Sequence, residues 1–566
     1  MASRILRRVE DVIDLNYVGL VVATVFFAWS VTPSLLPRDW LFQGLISGLN
    51  AAAGYGAGCL LEWGFRRLIR PRLPNYTPPQ WIRRAAELSI VALCVAAVCY
   101  MLVRSADWQR EIYGLMDMRG SGTSRAAYLR TGGLSLAVAA LVVAGYRILR
   151  LLVLLIARLL NRWVRVPPRL APVVGVLAVA VVVILLVNGV LTRGLFSVAN
   201  SAAGVANDTM NPNAHQPAAP ERSGSPQSLA HWDTLGEQGR WFVSHGPDAF
   251  RIGAVTGHPA RDPIRVYVGL TSAGPDRSEE QLAVAELERT HAFDRKVLVI
   301  VTTTGTGWVN ASAASAIEYM YGGDTAIVAS QYSYLPSVLS FLADRQKVAV
   351  AGHRMFDAIY AAWSARPPQS RPKLLVYGES LGSQGSESAF GGLNDLRSKV
   401  DGALWVGPPN TNRMWQQFVR RRDPGTREVQ PIYADGLSVR FASTAADLGK
   451  PSPDWRSPHI VYLQHPSDPI IWWSPDLLFT RPNWLSEPRG SDVSPQMRWW
   501  PLVTFWQVAA DLSNSTAVGD GHGHNYGTLV LDGWAAVLPP PDWNPALAEH
   551  IRTELDLSTA FERAVK

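Results

Sequence analysis

The chain has 566 residues, more than the roughly 100 to 200 of one ordinary domain, so two or more modules are expected. Its residues are 48% hydrophobic and 17% charged, with the apolar excess before residue 195, which argues against a wholly water-soluble protein. The net charge of +7 comes from arginines beside apolar runs rather than from a basic stripe, which excludes a nucleic-acid partner, and the three cysteines, Cys59, Cys94 and Cys99, all lie in apolar runs, so the C-terminal half has neither a disulfide framework nor a cysteine metal site.

A helix needs about 20 mostly apolar residues to cross a hydrocarbon layer about 30 Å thick. Tyr17 to Leu36, Leu41 to Phe65, Ala86 to Val103, Gly132 to Arg147 and Leu170 to Leu191 meet that requirement, so about five spans are expected over residues 1–195. Arg150 to Arg165 reads as an amphipathic interfacial helix, because Arg158 and Arg162 interrupt an apolar run. Arginines gather in the N-tail at Arg4, Arg7 and Arg8, after the second span at Arg66 to Arg84, and after the fourth at Arg147 to Arg169. The positive-inside rule assigns those three regions to the cytoplasm, although the loop Arg104 to Arg130 also carries arginines, there accompanied by Asp107, Glu111 and Asp117. Everything after Leu191 is then expected on the extracytoplasmic side of the cell membrane. A cleaved signal peptide is the competing reading of the first span, but no clear small-residue cleavage site follows it.

Residues 196–231 turn to Pro, Ser and Asn without apolar periodicity and read as a linker or lid-like loop. From residue 232 to 566 short β-rich runs alternate with helical stretches, which predicts an α/β domain with a mainly parallel sheet. The predicted strands are Ile264 to Leu270, Lys296 to Thr303, Ala326 to Ser330, Lys373 to Tyr377, Gly402 to Val406 and His459 to Gln464. Helices are expected at Ser278 to Thr290, Asn310 to Tyr321 and Val338 to Ala365, and from Ser380.

Gly378-Glu379-Ser380-Leu381-Gly382 matches G-x-S-x-G, in which small flanking residues let the backbone turn sharply and expose a serine between strand and helix. A serine hydroxyl is a poor nucleophile at neutral pH, so it needs a base in reach and an acid to orient that base. Asp468 follows the strand His459 to Gln464 and suits the acid; its competing role is to cap the turn at Pro469, and Asp435, Asp447 and Asp454 are rivals. In Asp520-Gly521-His522-Gly523-His524-Asn525-Tyr526, His524 is the expected base and His522 the reserve. The His-x-His pair with Asp520 also has a zinc reading, but no further ligand at suitable spacing completes it, so no metal and no cofactor are expected. His353 and His465 read as ordinary hydrogen-bonded residues. For a tetrahedral oxyanion the amide of Leu381 and one from Thr304 or Gly305, in the glycine-containing loop after Lys296 to Thr303, are the expected donors. That loop is not a phosphate loop, because it lacks the Gly-Lys-Ser/Thr ending.

Taken together, Pro263 to Leu270, Thr304 to Trp308, Gln331 to Ser337, Gly378 to Ser383 and Trp405 to Pro409 resemble the bacterial, largely actinobacterial, multi-pass membrane proteins of α/β-hydrolase family 9. The resemblance implies an N-terminal transmembrane helical bundle followed by a domain of α/β-hydrolase fold, with Ser380 as nucleophile; it does not bring a substrate, since one fold hosts many chemistries. The expected activity is that of a membrane-anchored serine hydrolase, esterase- or lipase-like, acting through Ser380, His524 and Asp468. Tethering beside the bilayer favours an acyl ester of a lipid or a lipid-linked molecule. Trp472, Trp473, Trp499, Trp500 and Trp506 either line an apolar pocket, rest on the interface or belong to the core. An acyltransferase with the same triad, and a non-catalytic membrane scaffold built on the fold, are the alternatives.

Overall fold

The structure, a computed structural model, describes residues 15–73, 78–118, 125–159, 161–162, 167, 171–185, 203–204, 206–335 and 345–565. The chain forms two compact units, Met1–Gly194 with Ser474–Asn514, and Leu195–Trp473 with Ser515–Lys566.

The first unit is helical, with α1 (Tyr17–Ser30), α2 (Trp40–Gly64), α3 (Gln80–Leu115), α4 (Arg125–Leu159) and α5 (Ala171–Ile184). Three stretches, Trp40–Arg72, Gln80–Leu115 and Ala127–Leu159, are long and apolar enough to cross a membrane, while Tyr17–Ser30 and Val173–Ile184 are shorter apolar helices. The expected third span is longer than its apolar core: α3 continues through an arginine-containing stretch that reads as a loop in the sequence. Charged residues one turn apart sustain it there, with Asp107 paired to Arg104 at 3.5 Å and to Arg110 at 2.5 Å. The fourth span and the expected amphipathic helix are likewise one helix as far as Leu159, because neither glycine nor proline interrupts Tyr146 to Leu159. The N-tail arginines, the ends of the amphipathic stretch and of the fifth span, and Pro336 and Ser337 lie outside the described residues.

Ser474–Asn514, expected within the hydrolase domain, clusters instead with these helices. Trp500 stacks on Trp29 of α1 at 4.8 Å, and Trp499 donates its indole N–H to Leu477 O at 2.9 Å. The periodic pattern of this segment reads the same in either setting, which is why its partner is not visible in the sequence.

The second unit carries a seven-stranded sheet, β1 (Ile264–Val268), β2 (Val297–Thr302), β3 (Thr325–Ser330), β4 (Lys373–Glu379), β5 (Gly402–Val406), β6 (Val439–Ala442) and β7 (His459–Leu463), in the order β1-β3-β2-β4-β5-β7-β6. Every pairing is parallel, so helical connections cover the faces and the strands are buried almost throughout, which accounts for their Val/Ile/Leu-rich runs. Six strands match the predicted ones. The seventh, β6, escapes the sequence reading because it is four residues long and contains Arg440, whose buried guanidinium is satisfied by the carbonyls of Leu448 at 2.7 Å and Gly436 at 3.2 Å.

The stretch expected as a linker is already bonded into this unit at Asn207 and Thr209, whose carbonyls accept from buried Arg240 at 3.0 and 2.8 Å, and it flanks β1 from Glu221 onward. Ser223 N–H donates to Arg265 O of β1 at 3.0 Å, and the hydroxyls of Ser223 and Ser228 donate to buried Glu286 at 3.1 and 3.0 Å. Its polar composition serves a buried carboxylate rather than solvent, so composition alone misleads here.

Candidate active site

β4 lies at the centre of the sheet, and its ladder runs one residue beyond the strand, where Ser380 N–H donates to Val406 O of β5 at 2.9 Å. There the backbone reverses: Ser380 adopts φ +52° and ψ −129°, a conformation that costs a non-glycine residue on the order of 1–3 kcal/mol, and the helix Leu381–Ser388 begins at the next residue. Both glycines of the motif are required by close approach, since a Cβ on Gly378 would stand 2.6 Å from Gly382 O and one on Gly382 would stand 3.0 Å from Thr303 O. The turn therefore holds Ser380, 8% exposed, at the carboxyl edge of the sheet, and seats the helix start against the loop after β2.

Asp468 follows β7 on the same edge. One carboxylate oxygen accepts Ile470 N–H at 2.9 Å and caps the short helix Pro469–Trp472; the other accepts from His524 Nδ1 at 2.6 Å and from the Tyr526 hydroxyl at 2.8 Å. The capping role and the partnership with histidine thus coexist on different oxygens. The two loops are fastened together: Gly523 N–H donates to Ser467 Oγ at 2.8 Å, and His465 Nδ1 pairs with Gly523 O at 2.9 Å. His524 is 7% exposed and Asp468 fully buried.

Gly407, directly after β5, forms the floor of this pair. Its φ is +53°, and a Cβ there would run into the His524 ring and lie 3.1 Å from Asp468 Oδ2. Val406 binds the Ser380 amide and Gly407 underlies the imidazole, so consecutive residues of β5 and its exit bring the serine turn beside the acid–histidine pair. Among the described residues the Ser380 hydroxyl forms no hydrogen bond with the His524 ring.

Of the two candidate histidines it is His524 whose ring meets Asp468; His522, half-buried, sits in the preceding turn with its N–H on Gly519 O at 3.3 Å. Among the rival carboxylates, Asp447 bonds Ser443 and Thr444, and Asp435 and Asp454 are exposed. His353 is a surface residue paired with Asp357, and His465 stacks on Tyr526 with 4.1 Å between ring centres. Trp472 is a core residue packed edge-on against Trp415.

Leu381 opens its helix, so its N–H has no carbonyl four residues back within the helix to bond. The Thr304 N–H turns inward to Trp308 O at 3.3 Å, and the loop is anchored by the Tyr267 hydroxyl on Gly307 O at 2.7 Å and by Gln331 on Thr306 O at 2.9 Å. Gly305 lies in the same turn.

Burial pulls the pKa of the His524 imidazole down, but the Asp468 carboxylate, with a further contribution from Glu379, outweighs it and holds the group above the ordinary histidine value. Glu379, the variable residue before Ser380, is buried, and burial raises its pKa although His524 and hydrogen bonds from Tyr377 and Asn310, each 2.7 Å, act the other way. Sequence reasoning misses Glu379, Tyr526, Asn310 and Gly407. The spacing of Tyr526 two residues after His524 is the one signal available for any of them.

A model of the alpha/beta-hydrolase family matches residues 264–551, and a model of that family's N-terminus matches residues 31–247. No curated protein and no solved structure matches the chain. The first match starts at β1, ends within the C-terminal helix Pro545–Val565 and takes in the serine turn, the acid and the histidine. Since it covers just over half of the chain, the protein belongs to the alpha/beta-hydrolase family.

Proposed function

We propose that this protein is a membrane-anchored serine hydrolase that cleaves a carboxylic ester through an acyl-enzyme. The observation that carries the reading is the Asp468–His524 pair resting on Gly407, one residue from the carbonyl that holds the strained Ser380 turn. Ser380 Oγ attacks the ester carbonyl, His524 Nε2 takes the hydroxyl proton, and Asp468 fixes the tautomer that leaves Nε2 free to do so. The Leu381 amide is the donor we assign to the developing oxyanion, since the Thr304 N–H is taken by Trp308 O. His524 then returns the proton to the departing alcohol, and a water activated by the same imidazole releases the acid.

The three long apolar helices, with the shorter α1 and α5, support anchoring in a bilayer. Five crossings from a cytoplasmic N-terminus, which keep the arginine-rich stretches after the second and fourth helices inside, put the hydrolase unit on the extracytoplasmic face. A catalytic unit tethered there meets lipid or lipid-linked esters at high effective concentration, and these are the substrates we assign to it. Reaction of the purified protein with a fluorophosphonate, compared with Ser380→Ala, tests the nucleophile: wild type takes the label and the variant does not. Labelling that persists in the variant refutes the assignment.

A further inference from the structure

The chain leaves the hydrolase unit after Trp473, at the end of the short helix that Asp468 caps, and re-enters it at Ser515, so the whole excursion lies between the acid and the base. On the return side, Ser515 O accepts the backbone N–H of His524 itself at 2.8 Å. Both members of the acid–base pair are therefore within ten residues of a segment that belongs to the helical unit.

That segment is firmly held within the helical unit. Asp511, in the helix Val503–Asp511, is fully buried and faces Arg38 Nε at 3.1 Å, with the Arg38 side chain 1% exposed. Its other oxygen accepts from the Ser34 hydroxyl, from Leu35 N–H at 3.1 Å and from Leu36 N–H at 3.4 Å. One turn earlier Gln507 donates to the carbonyls of Trp29 and Ser30, both at 3.2 Å, and after the helix Asn514 donates to Pro37 O at 3.1 Å. Nearer the start of the segment, Ser494 and Gln496 bond the Glu111 carboxylate of α3 at 2.9 and 3.1 Å. Buried ionic and amide bonds of this number do far more than tether a loop, since each loses partners if the segment shifts.

We propose that Asp511, clamped by Arg38 and the turn after α1, is a positioning residue for the active site: by fixing the ends of Ser474–Asn514 it sets how the Asp468 and His524 loops, which flank that segment in the chain, meet each other. The proposal rests on the Ser380, His524 and Asp468 reading above. In it the helical unit is a working part of the enzyme, and not only its anchor.

The test uses the full-length protein in detergent, with active sites counted by fluorophosphonate so that rates refer to labelled enzyme, and p-nitrophenyl butyrate as substrate. A Gly-Gly-Ser-Gly insertion between Asn514 and Ser515 leaves every bond of the clamp in place while slackening its connection to His524. Because small misplacements of reacting groups are costly, this insertion and Asp511→Asn are each expected to lower kcat by about tenfold or more with KM changed by less than about twofold. The same insertion between Pro275 and Asp276, in an exposed loop, is expected to leave both constants unchanged. A wild type that takes no label refutes the triad and the proposal with it. A wild type that labels, with an Asn514 insertion variant keeping its kcat, leaves the triad standing and overturns the positioning role. If that insertion variant does not fold, Asp511→Asn decides in the same way.

Discussion

The Tyr526 hydroxyl and His524 Nδ1 share one oxygen of Asp468, at 2.8 and 2.6 Å. Two donors on one buried oxygen fix the carboxylate plane, and with it the direction in which the imidazole points. Tyr526→Phe removes a hydrogen bond to a charged acceptor and is expected to destabilise the protein by about 1.5 to 3 kcal/mol. Denaturant unfolding measures the loss; an unchanged midpoint would mean that the hydroxyl contributes nothing to holding Asp468.

His524 must be neutral to accept a proton, and its pKa lies above the ordinary histidine value, with Asp468 the main cause of the rise. Activity is therefore expected to fall as the pH drops through that raised pKa, placing the acid limb of kcat/KM above about 6.5. Asp468→Asn removes the charge that raises the pKa, so the limb moves to lower pH while the maximal rate falls by roughly 10⁴-fold as the productive tautomer is lost. A pH–rate profile of the two proteins checks both the shift and its sign.

Glu379 also raises the His524 pKa, to a lesser degree. Glu379→Gln keeps the shape and an acceptor for Tyr377 and Asn310, and the acid limb is expected to move down by less than in Asp468→Asn. A profile that stays in place would show that Glu379 is neutral across the working range and acts only as a hydrogen-bond partner.

Gly407→Ala introduces a methyl where the His524 ring now lies and forces alanine into a left-handed conformation, which costs roughly 1–2 kcal/mol. The expected result is a modest drop in thermal stability with turnover per labelled site reduced by about tenfold or more, because the ring must leave its position over the β5 edge. Turnover equal to wild type would mean that the ring is not held there during catalysis.

Most of the sheet is legible in the sequence because parallel strands buried on both faces leave unbroken apolar runs, as in Val297–Thr302 and His459–Leu463. The serine turn is legible too, since Gly378 and Gly382 on either side of Ser380 leave a local mark. What escapes depends on partners distant in the chain. Gly407 looks like any turn glycine until His524, more than a hundred residues later, lies on it. Arg440 looks like a strand breaker until carbonyls close around it, and Ser474–Asn514 shows no sign of its attachment to residues near the N-terminus.

The bonds from Ser223 and Ser228 to Glu286 bear on where the C-terminal half can be cut free. A fragment starting at residue 232 would strip a buried carboxylate of three donors, the two hydroxyls and the Leu229 amide, and uncover the flank of β1. A start before Glu221 keeps those donors, but any such fragment still leaves buried Asp511 without Arg38 and Ser34.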